Sequence, residues 1–220
     1  MAHKVYKNIE LDVIVERLLE EMGEVDALSG LAALDIEHFA EFRLNADIEY
    51  RCLSEDGKTL GMTVLSNGPV EVWDKENKRP LVVAATANTI MLDLESEHCI
   101  TEGKARFTLA HECGHLFLHR PLEPDSCPDS RTLVAKCGVD FYTRPTNSRR
   151  DEQFRERQAD RLAAALLMPV SGVRAVVNKY ERECAEDPFA SAIPIQSHIA
   201  DVFNVSQEAA RIRLECLNLI

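Results

Sequence analysis

The sequence predicts an α+β fold, on three observations. Apolar residues recur at helical spacing in the first forty-odd residues, alternate with period two between 46 and 92, and return to helical spacing from 102 onward. The turn dipeptides Asp56-Gly57 and Asn67-Gly68 fall inside the alternating region, where strands need them. With 220 residues, 45% of them hydrophobic, the chain can bury a sizeable core. The boundaries read from it are a catalytic-type domain over 1–180, a connection over 181–194 and a C-terminal helical element over 195–220.

Each element follows from local chemistry. NIELDVIVERLLEEMG sets Ile9, Val13, Leu18 and Met22 near helical spacing, and Gly23 suits a C-terminal stop. DIEHFAEFRLN repeats the pattern through Ile36, Phe39, Ala40 and Leu44 behind Asp35 as N-cap. ADIEYRCLS, LGMTVLS and VEVW then read as a three-strand meander, with Trp73 half-buried on its last strand. RPLVVAATANTIMLD adds one or two strands, Thr89 to Leu92 being the last, with an edge open to an extended peptide. Helical spacing runs from Glu102 to His119 and again through RRDEQFRERQADRLAAALLMP, where Pro121 and Pro169 set limits.

Charge and cysteines exclude several classes. Lys and Arg total 25 against 37 Asp and Glu, a net charge of −12, which opposes attraction to nucleic acid or to anionic membrane. The first twenty residues carry charges throughout, unlike a secretory signal, and no uncharged run is long enough to span a bilayer, so a cytoplasmic location is expected. The cysteines at 52, 99, 113, 127, 137, 184 and 216 are odd in number and lack C-x-x-C spacing. Free thiols are therefore the expectation, with pairing or metal binding by Cys127 and Cys137 as the lesser alternative. Cys113, two positions from either motif histidine, is expected to pack away from them.

The chemistry concentrates in RFTLAHECGHLFLH. His111 and His115 stand one helical turn apart on one face, so both imidazoles can reach one ion, with Glu112 beside them. A catalytic zinc takes three protein ligands and leaves one position open. His119 cannot be the third, because it lies roughly 12 Å along the axis from His111. An H-E-x-x-H-x-x-G-x-x-H site is excluded by Leu118 and Pro121. Glu156 and Asp160, four apart on the later helix, read alone as one charged pair among several, since Arg155, Arg157 and Arg161 surround them. Beside the histidine motif they supply what it lacks, Glu156 as an oxygen ligand and Asp160 as acceptor for the outer N–H of a ligating histidine. Tyr142 and His198 have the chemistry to stabilise an oxyanion, but nothing in the sequence brings either to the site.

The pair RFTLAHECGHLFLH and ERQADRLAAALLMP, with the tail IADVFNVSQEAARIRLECLNLI, resembles the ImmA/IrrE family of zinc-dependent metallopeptidases. The resemblance implies a thermolysin-like zincin fold: N-terminal helices, a small twisted sheet, the two motif helices and a C-terminal helical element. It implies His111, His115 and Glu156 as ligands of one zinc per chain, Glu112 as catalytic acid/base and Asp160 behind the ligands, where many relatives carry Asn. Manganese or iron would also tolerate this donor set. The stretch from Pro121 to Arg150 is a departure for which the resemblance offers no role.

The tail has helix-turn-helix spacing, yet from 195 to 220 two arginines face three acids, which disfavours DNA and favours packing or partner docking. The expected function is a regulatory cytoplasmic metallopeptidase whose substrate, by the resemblance, is a helix-turn-helix repressor of a mobile element or stress response. The alternative is a metal-binding module that docks a transcription regulator without cutting it; an intact Glu112 argues for the enzyme.

Overall fold

In a computed structural model, residues 6–99, 101–120, 134–138, 147–187 and 190–220 are described. In chain order they form α1 (Asn8–Met22), α2 (Val25–Leu28), α3 (Ile36–His38) continuing as a π-turn (Phe39–Arg43), then β1 (Asp47–Tyr50), β2 (Thr59–Val64), β3 (Gly68–Asp74), β4 (Arg79–Ala85) and β5 (Thr89–Leu92). There follow α4 (Glu102–His119), β6 (Val134–Gly138), α5 (Asn147–Leu167), α6 (Val170–Glu186), a 3₁₀ turn (Ala190–Ala192), α7 (Ile195–Phe203) and α8 (Gln207–Cys216). The fold is α+β and fits a zincin-like arrangement.

The strands do not form the expected meander. Four of them make one sheet in the order β1-β5-β2-β6, while β3 and β4 form a separate antiparallel hairpin. Asn67-Gly68 accordingly does not close a hairpin between β2 and β3; the Asn67 side chain instead accepts the amide of Ala87. The tight turn falls after β3, where Asp74 accepts the amides of Glu76 and Asn77. β5 lies between β1, parallel to it, and β2, antiparallel, so Thr89–Leu92 offers no free edge. Among the described residues the outer strand beside β2 is β6, in the stretch for which no structure was anticipated.

Alternation along β2 divides its side chains between two environments. Met62 and Val64 enter a core with Leu53, Val70, Val72, Ala85 and Met91. Gly61 and Thr63 turn to the opposite face, toward α4, which packs on β2, β5 and β6. α4 begins at Thr101, whose hydroxyl caps it by accepting the Lys104 amide.

By contacts the chain divides into one unit over 36–160 and another joining 4–35 to 161–220. This differs from a boundary at 180: the cut falls within α5, and the N-terminal helices group with the C-terminal ones. α6 continues to Glu186, past position 181. In the second unit α1 ends at Gly23 in the left-handed conformation, φ 77°, as its stop signal required. Its buried face is Leu11, Val15, Leu18 and Leu19, whereas Ile9 and Val13 are 69% and 47% exposed. With apolar residues on both sides of the helix, periodicity alone chose the wrong stripe. The tail forms α7 and α8 with Asn204 left-handed between them, a helix-turn-helix-like pair.

Candidate metal centre

All the side chains of the centre lie in the 36–160 unit. α4 carries His111 and His115 with Nε2 atoms 2.9 Å apart, both rings buried. α5 brings the Glu156 carboxylate across both: Oε2 lies 3.2 Å from His111 Nε2 and Oε1 3.2 Å from His115 Nε2. One donor atom from each residue fits within a 4.8 Å set. Asp160 Oδ1 stands 2.8 Å from His111 Nδ1, and the ring N–H donates to it. Orienting a ligating imidazole through its outer N–H is the task such an acceptor performs. The neighbours placed at this site from sequence are thus brought together, Glu112 included.

The two helices can approach this closely because of small residues. A Cβ on Gly114 would stand 2.9 Å from Ala159 Cα, so glycine inside the motif lets α5 sit against α4. Gly61 does the same on the sheet side, where a Cβ would run into the Glu112 carboxylate. Thr63 Oγ1 lies 3.0 Å from the Glu112 carbonyl and 2.5 Å from its Oε2, so one hydroxyl proton serves either acceptor. Glu112 Oε1 is buried without a hydrogen-bond partner.

Electrostatics follow the packing. Burial pushes the Glu112 carboxyl up, opposed by His115 and His111. Glu156 is desolvated too, yet hydrogen bonds from His111 and His115 outweigh this and hold its carboxyl down at about 2. For His111, burial works against the charged ring, and Asp160, Cys137 and Glu156 together raise it well above its ordinary value. Two ring nitrogens and a carboxylate converging on one point repel unless a proton or a cation lies among them. That convergence and the orphaned Glu112 oxygen fit a divalent cation, and His, His and carboxylate donors suit zinc, manganese or iron.

Sequence reasoning left several participants unassigned. His119 is not among the three converging donors, but its Nδ1 lies 3.0 Å from His115 Nδ1, behind the second imidazole as Asp160 is behind the first. An i, i+4 histidine after the motif was the signal for it. Gly61 and Thr63, two apart on an alternating strand, were legible as sharing a face, though not as facing Glu112. Cys137 reaches His111 and Glu112 from β6. Cys113 is buried, its thiol pushed well up by burial and by the Glu112 charge beside it. Trp73 is half-buried on β3. His198 belongs to the other unit, its ring 5.1 Å from that of Tyr180. Tyr142 and Cys127 lie outside the described residues.

A cleft of about 240 Å³ opens beside His115 and Glu156, walled by Val134, Ala135 and Lys136 of β6. No single helix among the described residues is long and apolar enough to cross a membrane. The family model described as Peptidase_M78, IrrE N-terminal-like domain, matches residues 94–215. No curated protein matches the chain significantly.

Proposed function

Because the chain belongs to the IrrE N-terminal-like peptidase family, we propose that it is a cytoplasmic zinc metallopeptidase with a regulatory role. The observation that carries the reading is the convergence of His111, His115 and Glu156 within 4.8 Å beside a buried Glu112. A divalent cation bound there supplies Lewis acidity toward a peptide carbonyl and lowers the pKa of an adjacent water.

The chain's own residues do the rest. Thr63 holds Glu112 Oε2, which leaves Oε1 as the atom to take a proton from the attacking water and return it to the departing amide nitrogen. Asp160 fixes the His111 ring with Nε2 inward. The substrate is an extended protein segment lying in the cleft along β6; the resemblance nominates a helix-turn-helix repressor.

The test is metal content together with Glu112→Gln. The purified protein should hold about one equivalent of divalent metal. Glu112→Gln should keep it while cleavage of the physiological substrate falls roughly 10² to 10⁴-fold. Full biological activity in Glu112→Gln would instead mean a docking module that does not cut.

A further inference from the structure

Of the cysteines among the described residues, Cys137 alone is grouped with a motif histidine, His111, which is also the residue shared with the set His111, His115 and Glu156. β6 pairs with β2 in a register that sets Cys137 opposite Gly61, the strand position directly over the Glu112 carboxylate. With no side chain at 61, the Glu112 carboxylate takes the place that a Cβ would fill, next to the strand that carries the thiol. A ring nitrogen of His111, a carboxylate oxygen of Glu112 and Cys137 Sγ all lie within 4.8 Å of one another. The second observation is independent of the cysteine: Glu112, fully buried, keeps Oε1 without a hydrogen-bond partner in this same cluster.

We propose that Cys137 supplies a thiolate ligand to the ion held by His111, His115 and Glu156, closing the fourth position in a resting form of the protein. The inference rests on the metallopeptidase reading above. Three protein ligands leave a position open for catalysis, whereas four close the site, as in structural zinc centres. A thiolate also favours zinc over manganese, which prefers oxygen donors. As the Sγ–metal bond forms, the bond from the ion to the water in the fourth position breaks and that water carries off the Sγ–H proton; water and proton return when the Sγ–metal bond breaks. Release needs only movement of β6, a five-residue strand paired among the described residues with β2 alone.

The test uses the full chain with cobalt(II) replacing the native ion, under exclusion of oxygen. The wild type should bind one cobalt and show thiolate-to-cobalt charge-transfer absorption in the near ultraviolet. Cys137→Ser should keep the cobalt and lose that band, and Cys216→Ser, changed at an exposed cysteine, should retain it. Cys137→Ser should also cleave substrate faster than wild type. X-ray absorption on the zinc-loaded wild type needs no variant and should show one sulfur at about 2.3 Å. Bound cobalt without the band, or a band that survives Cys137→Ser, overturns the thiolate and leaves the peptidase reading standing. A wild type that binds no cobalt overturns both.

Discussion

Gly114 of α4 packs against Ala159 of α5 so closely that a Cβ would stand 2.9 Å from the Ala159 Cα and 3.0 Å from its carbonyl oxygen. Both obstacles are backbone, which cannot swing aside as the end of a side chain does. Gly114→Ala should therefore force the helices apart and draw Glu156 away from the histidines. Overpacking of this kind costs about 1–3 kcal/mol. The larger effect should fall on the site, where misplacement by about 1 Å costs roughly 10²-fold in activity. Thermal unfolding and metal titration measure the two effects separately; unchanged metal affinity would show that α5 does not need this contact to place Glu156.

What was legible in the sequence was what helical geometry enforces. His111 and His115 share a face because four residues make about one turn, and the same holds for Glu156 and Asp160. The limits of α4 followed from its apolar spacing and Pro121. What was not legible depends on distant partners. Nothing local in DIEY says that β1 runs parallel to TIML, forty-two residues later, rather than pairing with its neighbour LGMTVL. β6 was missed because VAKCG is short and lies in a stretch rich in Pro, Asp and Ser, so Cys137 had no strand to be placed on. α1 carried apolar residues on two sides, and only tertiary burial chose Leu11 and Val15 over Ile9 and Val13.

The C-terminal pair of helices owes part of its seat to Arg213. Its guanidinium is buried, donates to the Met168 carbonyl at 3.0 Å and meets Asp12 Oδ1 at 2.7 Å. Arg213→Met would strand Asp12 beside an apolar chain. Breaking such a pair costs about 3–5 kcal/mol, here toward the lower end because Asp12 keeps some contact with water. Urea denaturation should show the midpoint falling accordingly; a loss below about 1 kcal/mol would mean that water already compensates the carboxylate. The second tail arginine, Arg211, is held by Glu208 and Glu215. With both arginines engaged by acids, no sequence-selective DNA retention is expected at physiological salt.

Metal affinity should rise with pH. In the metal-free protein His111 has a pKa well above its ordinary 6.5. Coordination through Nε2 must expel that proton, so affinity should increase by about tenfold per pH unit until the raised pKa is passed, then level off. Stability of the metal-free protein should run oppositely. The raised His111 contributes stability fully present below 6.5 and lost as pH rises through its folded value. Glu156, depressed from 4.5 to about 2, contributes stability present above 4.5 and lost as pH falls through about 2. These two contributions are together largest between about 4.5 and 6.5, while Glu112, pushed up by burial, works the other way as pH rises above 4.5. Calorimetric titration in two buffers of different ionisation enthalpy reads the released proton; no proton released on metal binding at pH 6.5 would contradict the linkage.

Asp160 allows orientation and charge to be separated. Its Oδ1 accepts the His111 Nδ1–H at 2.8 Å, while its side chain remains 34% exposed. Asp160→Ala removes the acceptor and leaves all three ligands, so the ring can turn and a loss of roughly 10- to 100-fold in metal affinity is expected. Asp160→Asn keeps an oxygen at the same reach, so affinity above the His111 pKa should be nearly that of the wild type. Its charge is gone, however, and with it part of what raises His111. The asparagine variant should therefore reach its plateau of metal affinity at lower pH than the wild type. At any pH below the raised His111 value, where the wild type loses affinity to protonation of that ring, the variant should match or exceed it. If Asp160→Asn lost as much affinity as Asp160→Ala at every pH, the carboxylate would be acting through its charge, and the hydrogen bond to His111 would not be what holds the ring.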